Sequence, residues 1–489
     1  MQKITLILTY IIPRIQDVVF AGLFIAIFVQ GPALLNVDGD LGRHITIGNF
    51  IIRNWEIPTR DLFSHTMTGH RLVPHEWLAQ LTLSIFHILG GLTGVVWMVA
   101  VLIAATFSLM YQEMRKQEVS RILAVFITIL AAAASSLHWL PRPHIFTFLF
   151  AGVWAYQLEN EQKKIWLFPL LMWVWANTHG AFIAGFVIWA AHVAGWYWEY
   201  LHNRSTKEPG IQLLIIGAAS LAVTFVNPAG WHLWGTSIGY FSSRFLIDQT
   251  VEYQSPNFHD ESTWPFLVML GLGILVFGTE RRLRPHQSIL FAGWTIMSLY
   301  SARNIPLFAI ITGPYIGMGV NAALEKDFIL QRFDQSIARV EHNLKGIPWS
   351  LLGIITLIIA ISAPSNGANQ FDPHKFPVKA VDWLKTNPQE GEMFNNFIWG
   401  GYILYRMWPQ ELVFIDGQTD FYGEALTREY AQVMYLGEGW QTVLEKYDIG
   451  WVIVPSSRSL VKVLQQEMGW IKVYHDDTAT ILHRPAAIP

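Results

Sequence analysis

The sequence predicts a polytopic α-helical membrane protein with a C-terminal extracytoplasmic α/β domain, on three observations. Of 489 residues, 52% are apolar and only 14% are charged, whereas soluble domains carry about 25% charge. Apolar runs approaching the length of a bilayer crossing recur from Val18 to Ala363. After Ser365 the pattern changes to Pro, Asn, Gly and charged residues, followed by short helix-like and strand-like pieces. The expected domains are a multi-span membrane domain, 1–365, and a soluble outer domain, 366–489.

Composition excludes several classes. With no Cys, disulfides, iron–sulfur clusters and thiol nucleophiles are absent. The net charge of -3 and the short basic clusters between apolar runs give no nucleic-acid signature.

Eleven spans fit the pattern: Asp17–Leu35, Leu92–Tyr111, Ile122–Leu137, Ile145–Leu158, Ile165–Ala176, Ala181–Glu199, Ile211–Val226, Trp264–Phe277, Ser288–Tyr300, Ile305–Ala323 and Ile347–Ala363. Lys3 and Arg14 precede the first run without a small-residue cleavage site, so it reads as an uncleaved helix. Trp77–Ile88 is too short to cross and is set off by Gly90-Gly91, as a re-entrant or interfacial helix would be. With the N-terminus in the cytoplasm, Arg115, Lys116, Arg121, Lys163, Lys164, Arg204, Lys207, Arg281, Arg282, Arg284, Lys326, Arg332, Arg339 and Lys345 all face inward. The expected location is the plasma membrane, with loops 36–76 and 227–263 and the C-terminal domain outside.

In the tail, Val378–Thr386, Glu424–Leu436 and Leu460–Gln466 read as helices, and Leu412–Ile415, Trp451–Val454, Ile471–Tyr474 and Ala479–His483 as strands. Such a set builds a small α/β domain.

Polar chemistry gathers outside. Asp38, Asp40, Arg43 and His44 follow the first span, and Asp40, Arg43 and His44 share a helical face. An acid there can take a proton from an acceptor hydroxyl, or hold a divalent cation beside a phosphate. An Asx turn closed by a local salt bridge to Arg43 stays open as the alternative. Arg53, Arg60, Asp61, His65 and His70 extend this polarity, and His75-Glu76 opens the short helix. His138, Arg142 and His144, then His179, then Arg303, sit at outer span ends, where they can meet phosphate or cap helices. The loop 227–263 carries Trp231, His232, Trp234, Arg244, Asp248, Glu252 and Tyr253, a composition suited to a lid or to interfacial anchoring. Asp416, Asp420 and Tyr422 follow a strand-like piece in the tail, where substrate binding and turn capping both remain open.

This arrangement resembles the GT-C superfamily, membrane glycosyltransferases using polyprenyl-phosphate-linked sugars, which includes oligosaccharyltransferase catalytic subunits and lipid A aminoarabinose transferases. The features carrying the resemblance are the acidic first outer loop Asp38–Glu76, the Val73–Leu81 stretch VPHEWLAQL, the many spans and the soluble tail Gln370–Pro489. The resemblance implies a GT-C fold and an enzyme of the cell envelope that transfers a sugar from a polyprenyl-phosphate donor to an extracytoplasmic glycan, lipid or protein acceptor. It maps the catalytic acid/base onto Asp40, with Asp38 as the other candidate, and a divalent cation, Mg2+ or Mn2+, onto the same pair. Arg43, His44, His75, Glu76, His138, Arg142, His144, His179 and Arg303 are the expected substrate-binding residues. The implied partners are the lipid-linked sugar, membrane lipids and the outer acceptor. WGGYI at Trp399–Ile403 matches the oligosaccharyltransferase WWDYG signature only superficially, which argues against transfer to an Asn sequon. The competing readings are a transporter or flippase of a lipid-linked or anionic substrate and an outer-surface assembly or binding protein. Scarce charge within the spans speaks against a transport path.

Overall fold

The computed structural model describes residues 9, 12–202, 210–239, 243–277, 283–324, 328–346, 356, 358 and 369–485. The expected last span Ile347–Ala363 lies almost wholly outside the described residues. So do the domain boundary at 365/366 and the basic residues Lys3, Arg204, Lys207, Arg281, Arg282 and Lys326.

The helices used below are α1 (Ile15–Val29), α2 (Asp40–Asn54), α3 (Trp77–Lys116), α4 (Arg121–Ser135), α5 (His144–Glu159), α6 (Leu167–Ala176), α7 (Ile183–Leu201), α8 (Gly210–Val223), α9 (Trp264–Phe277), α10 (Pro285–Tyr300), α11 (Ile305–Ala323) and α12 (Phe328–Glu341). The tail contributes α13 (Val378–Leu384), β1 (Glu392–Asn395), α14 (Gly400–Met407), α15 (Thr419–Met434), α16 (Trp440–Lys446), β2 (Ile449–Pro455), α17 (Ser459–Gln466), β3 (Ile471–His475) and β4 (Ala479–His483). Among the described residues four helical stretches are long and apolar enough to cross a membrane: Trp77–Lys116, Arg121–His138, Gly180–Leu201 and Ala302–Ala323. The chain forms two compact units, one of residues 1–30, 96–226 and 250–363, the other of 31–95, 227–249 and 364–489.

The first unit is helical. Its centre is α11, buried from Ile305 to Gly319 and packed by α4, α5, α9 and α10. Apolar side chains all round explain why it sits inside the bundle. Trp154 of α5 stacks edge-on against Phe168 and Trp175 of α6 at 5.0 and 6.5 Å between ring centres. At one end Arg121 bonds Asp334 and Glu341 of α12 at 3.0 and 2.6 Å, and Glu341 also accepts from the Ile15 N–H at 2.7 Å. Arg121, expected only to set topology, is therefore also a tie between α4 and α12.

The expected break between the short helix and the second span is present as non-helical backbone at Gly90 and Gly91 within α3. Gly91 has φ 58° and ψ -152°, a conformation only glycine adopts without strain.

The second unit combines the first loop with the tail. Its sheet has the order β1-β2-β4-β3, with β1 parallel to β2 and the other neighbours antiparallel. β2 is buried on both faces, as a central strand of apolar residues should be. Three expected strands occur. The fourth, Leu412–Ile415, does not join the sheet; Val413 instead makes an isolated bridge to Ser64 of the first loop. The four-residue β1 takes its place at the sheet edge. Asn395 of β1 secures the displaced segment, accepting from the Phe414 N–H at 2.8 Å and donating to the Ile415 carbonyl at 2.8 Å.

Two further contacts fix the first loop on the tail. Asn36 donates to the Gln370 carbonyl at 2.9 Å and accepts from the Asp372 N–H at 2.7 Å. Helix α2 meets α14 through glycines: a Cβ on Gly42 would lie 2.2 Å from the Gly401 carbonyl oxygen. The WGGYI segment thus serves here as a packing surface for α2.

Candidate active site

Within the second unit, the six candidates nearest the first span cluster around the N-terminal half of α2. Asp40 begins that helix, where a carboxylate suits the N–H-rich end, and Asp38 Oδ1 accepts the Asp40 N–H at 2.9 Å. The Asx turn left open by the sequence is therefore present, and it presents Asp40 half-buried toward the tail. A Cβ at Gly417 would sit 1.6 Å from Asp40 Oδ1, so a glycine is what allows the carboxylate to rest there.

One turn on, Arg43 is 4% exposed. Its Nη1 donates to Gln418 Oε1 at 2.7 Å, and its Nε and Nη2 lie 3.6 Å from Asp416 and 3.9 Å from Glu76. Burial works against the guanidinium charge, but Asp416, Asp40, Glu76 and Asp420 more than reverse this and raise its pKa. Glu76 also faces His44 and His75, at 3.9 and 3.8 Å. Burial pushes the Glu76 pKa up, with His75 and Arg43 pulling it back. A small cavity beside this pair is lined by Ile47, Leu72, Gln80 and Gln418. His44 is wholly inside, with Nδ1 3.5 Å from Gln80 Nε2.

Burial also drives Asp416 up to about 6, against the pull of Arg43. The folded protein then holds this proton more tightly than the unfolded chain, whose carboxyl titrates near 3.8. Stability from this group therefore falls as pH rises from about 4 to 6 and is flat above, by at most about 3 kcal/mol. Asp416→Asn is expected to remove that component. Melting curves in detergent from pH 4 to 7 check it, and an identical slope in wild type and variant would contradict the assignment.

Two residues of the first loop turn out to be anchors. Asp61 accepts from the Phe63 and Ser64 N–H groups and from the Ser64 hydroxyl, at 3.2, 3.1 and 2.6 Å. His65 Nε2 meets the Met393 carbonyl of β1 at 2.9 Å. Both are committed to holding the loop.

The first unit holds the other five candidates. Arg142 and Arg303 converge on Glu252, at 3.3 and 3.9 Å, and Arg303 donates to the Tyr253 hydroxyl at 2.6 Å. Burial would raise Glu252, and the two guanidinium groups, with His138 and His144, instead hold it down to about 2. His144 Nε2 contacts the His138 carbonyl at 2.8 Å, and its ring is 6.3 Å from that of His179. His179 Nδ1 is 2.9 Å from the Thr147 hydroxyl, which accepts from the Trp175 indole. Glu252→Gln is expected to leave two half-buried cations without their shared carboxylate and to lower the melting temperature by no more than about 3 °C, read by scanning fluorimetry.

Comparison with solved structures agrees with this architecture. The oligosaccharyltransferase of Archaeoglobus fulgidus in its apo form superposes with a TM-score of 0.61 at 12% identity, covering 90% of this chain and 69% of that one. The same organism's AglB, in complex with an inhibitory peptide and a dolichol-phosphate, gives 0.60 at 12% identity over 89% and 69%. ArnT from Cupriavidus metallidurans bound to undecaprenyl phosphate gives 0.51 at 12% identity over 96% and 98%. The chain shares the fold of these solved structures. No family model matches the sequence and no curated protein does.

Asp416 and Asp420 stand out in the sequence without any link to Arg43, and Gln418 does not stand out at all. No local signal marks Gln418, whose partner is 375 residues away. Glu252 stood among the loop's polar residues, and its position between two expected ligands, Arg142 and Arg303, is visible only in three dimensions.

Proposed function

We propose that the protein transfers a sugar from a polyprenyl-phosphate donor to a hydroxyl acceptor on the outer membrane face, with Asp40 as general base. The observation that carries this reading is the placing of Asp40. In a fold of GT-C type, it is a half-buried carboxylate just past the first span, backed by a buried Arg43–Asp416–Gln418 network that fixes the helix bearing it. The acceptor O–H gives its proton to Asp40 as its oxygen attacks the sugar C1, and the bond from C1 to the phosphate oxygen breaks, releasing polyprenyl phosphate. Neither a nucleotide nor a covalent enzyme intermediate is needed.

Arg43 is a positioning residue in this scheme. His44, His75 and Glu76 frame the cavity beside α2 as substrate contacts. The Arg142, Arg303, His138, His144 and His179 group has the charge and donor chemistry to recognise an anionic headgroup. Asp38 and Asp40 offer only carboxylate oxygens, a donor set suited to Mg2+ or Mn2+. Such a cation would offset charge on the departing phosphate. The reading places the chain in the plasma membrane, N-terminus inside, with residues 366–489 as a domain outside.

The test is reconstitution of the purified chain with a panel of isotope-labelled polyprenyl-phosphate sugars and an extract of outer-surface acceptors. Label is expected to pass from at least one donor to an acceptor, with release of polyprenyl phosphate. Failure of every donor removes the proposal's support.

A further inference from the structure

We propose that Glu159, His192 and His286 of the first unit form a zinc site that ties α5, α7 and α10 together, independently of the chemistry assigned to Asp40. Among the described residues this is the group of three whose ligand atoms converge, all lying within 4.8 Å of one another. Its members come from the last residue of α5, the middle of α7 and the second residue of α10. His286 Nε2 is 3.0 Å from Glu159 Oε1, and the rings of His192 and His286 stack at 4.2 Å.

His192 is the telling member. It interrupts the apolar helix α7, is 2% exposed, and has no hydrogen-bond partner at either ring nitrogen. Buried polar groups almost always find partners, and an ionisable side chain at membrane depth without one asks for a ligand. His286 and Glu159 turn toward it. Tyr315 donates to Glu159 Oε1 at 2.8 Å, an outer hydrogen bond of the kind that orients a ligating carboxylate. Tetrahedral zinc with bonds of about 2.0 to 2.2 Å needs ligand atoms roughly 3.3 Å apart, so on binding the stacked His192 and His286 rings, whose planes differ by 24°, turn to bring their lone pairs onto one ion.

The donor set selects the metal. Two imidazoles disfavour Mg2+ and Ca2+, which prefer oxygen, whereas His, His and carboxylate is a zinc set with one position left for water. Gly195, one turn beyond His192, allows α10 this close: a Cβ there would sit 2.7 Å from the His286 backbone nitrogen. A small cleft of mixed polar and apolar lining, with Glu113, Gln287, Ile311 and Met318 among its walls, borders Glu159.

The test uses untagged full-length protein in detergent, dialysed against zinc and then buffer, with metal content read by mass spectrometry. About one zinc per chain is expected, and Co2+ in its place should give the visible absorption of a tetrahedral site. His192→Ala and Glu159→Gln should each reduce bound zinc at least tenfold, while Asp40→Asn retains it. A wild-type chain with neither zinc nor the cobalt spectrum overturns the proposal, whatever the variants do. So does zinc retained in full by a folded His192→Ala, which would mark the metal as adventitious. Sugar transfer is not part of this readout, so its failure leaves the zinc result standing.

Discussion

Asp40→Asn is expected to lower the rate of sugar transfer by about 10²–10⁴-fold, the range for losing a positioned general base. The substitution keeps the side chain's shape, so the turn closed by the Asp40 N–H on Asp38 Oδ1 at 2.9 Å survives. The loss should appear in kcat with KM little changed, because the missing interaction belongs to the transition state. Asp38→Asn is the companion measurement. Its amide oxygen can still accept the Asp40 N–H, so a fall under about tenfold follows if Asp38 only closes the turn, within the range for a single hydrogen bond. A larger loss from Asp38→Asn than from Asp40→Asn would exchange the two roles. Gly417→Ala gives an independent probe, since its Cβ would lie 1.6 Å from Asp40 Oδ1 and must displace the carboxylate. Transfer should fall although no titratable group has changed.

Arg43→Met should cost about 3 to 5 kcal/mol of stability, the usual penalty for removing one partner of a buried charge pair. Arg43 and Asp416 are 4% and 2% exposed, and Glu76 shares the same guanidinium at 3.9 Å. Without it, the buried Asp416 and the half-buried Glu76 both lose the cation they lie beside. Asp416, already raised to about 6 by burial, would then titrate higher still. The double variant Arg43→Met/Asp416→Asn removes the stranded charge and should recover part of the loss, so the two effects will not add. Detergent melting curves of the two singles and the double measure the coupling. Strict additivity would mean the pair contributes nothing.

What the sequence revealed follows the range over which each signal acts. Apolar helices such as α9 and α11 are legible because their apolar runs are continuous, and the Gly90-Gly91 break because glycine marks it locally. Asp40, Arg43 and His44 are legible as a group because helical spacing alone brings them together. Asp61 and His65 had the same polar character as their neighbours, and only their partners, Ser64 and the Met393 carbonyl, reveal them as anchors. Leu412–Ile415 has strand composition but spends it on the first loop, a choice no local pattern encodes. Glu159, His192 and His286 each stand alone in a different helix, so nothing in the sequence groups them.

The contacts of Asn36 with Gln370 and of Arg43 with Gln418 also set a timetable. Arg43 must wait for a residue 375 positions later in the chain. At synthesis rates of about 5–20 residues per second, that delay is on the order of tens of seconds. During it, the first loop exists without the surface it packs on, so it resembles a client for chaperones more than a folded domain. Protease protection of this loop during synthesis should therefore arrive late and all at once, when the tail has been made. A nascent chain, whatever its helices have achieved, would hold no assembled carboxylate site until its last quarter has been made.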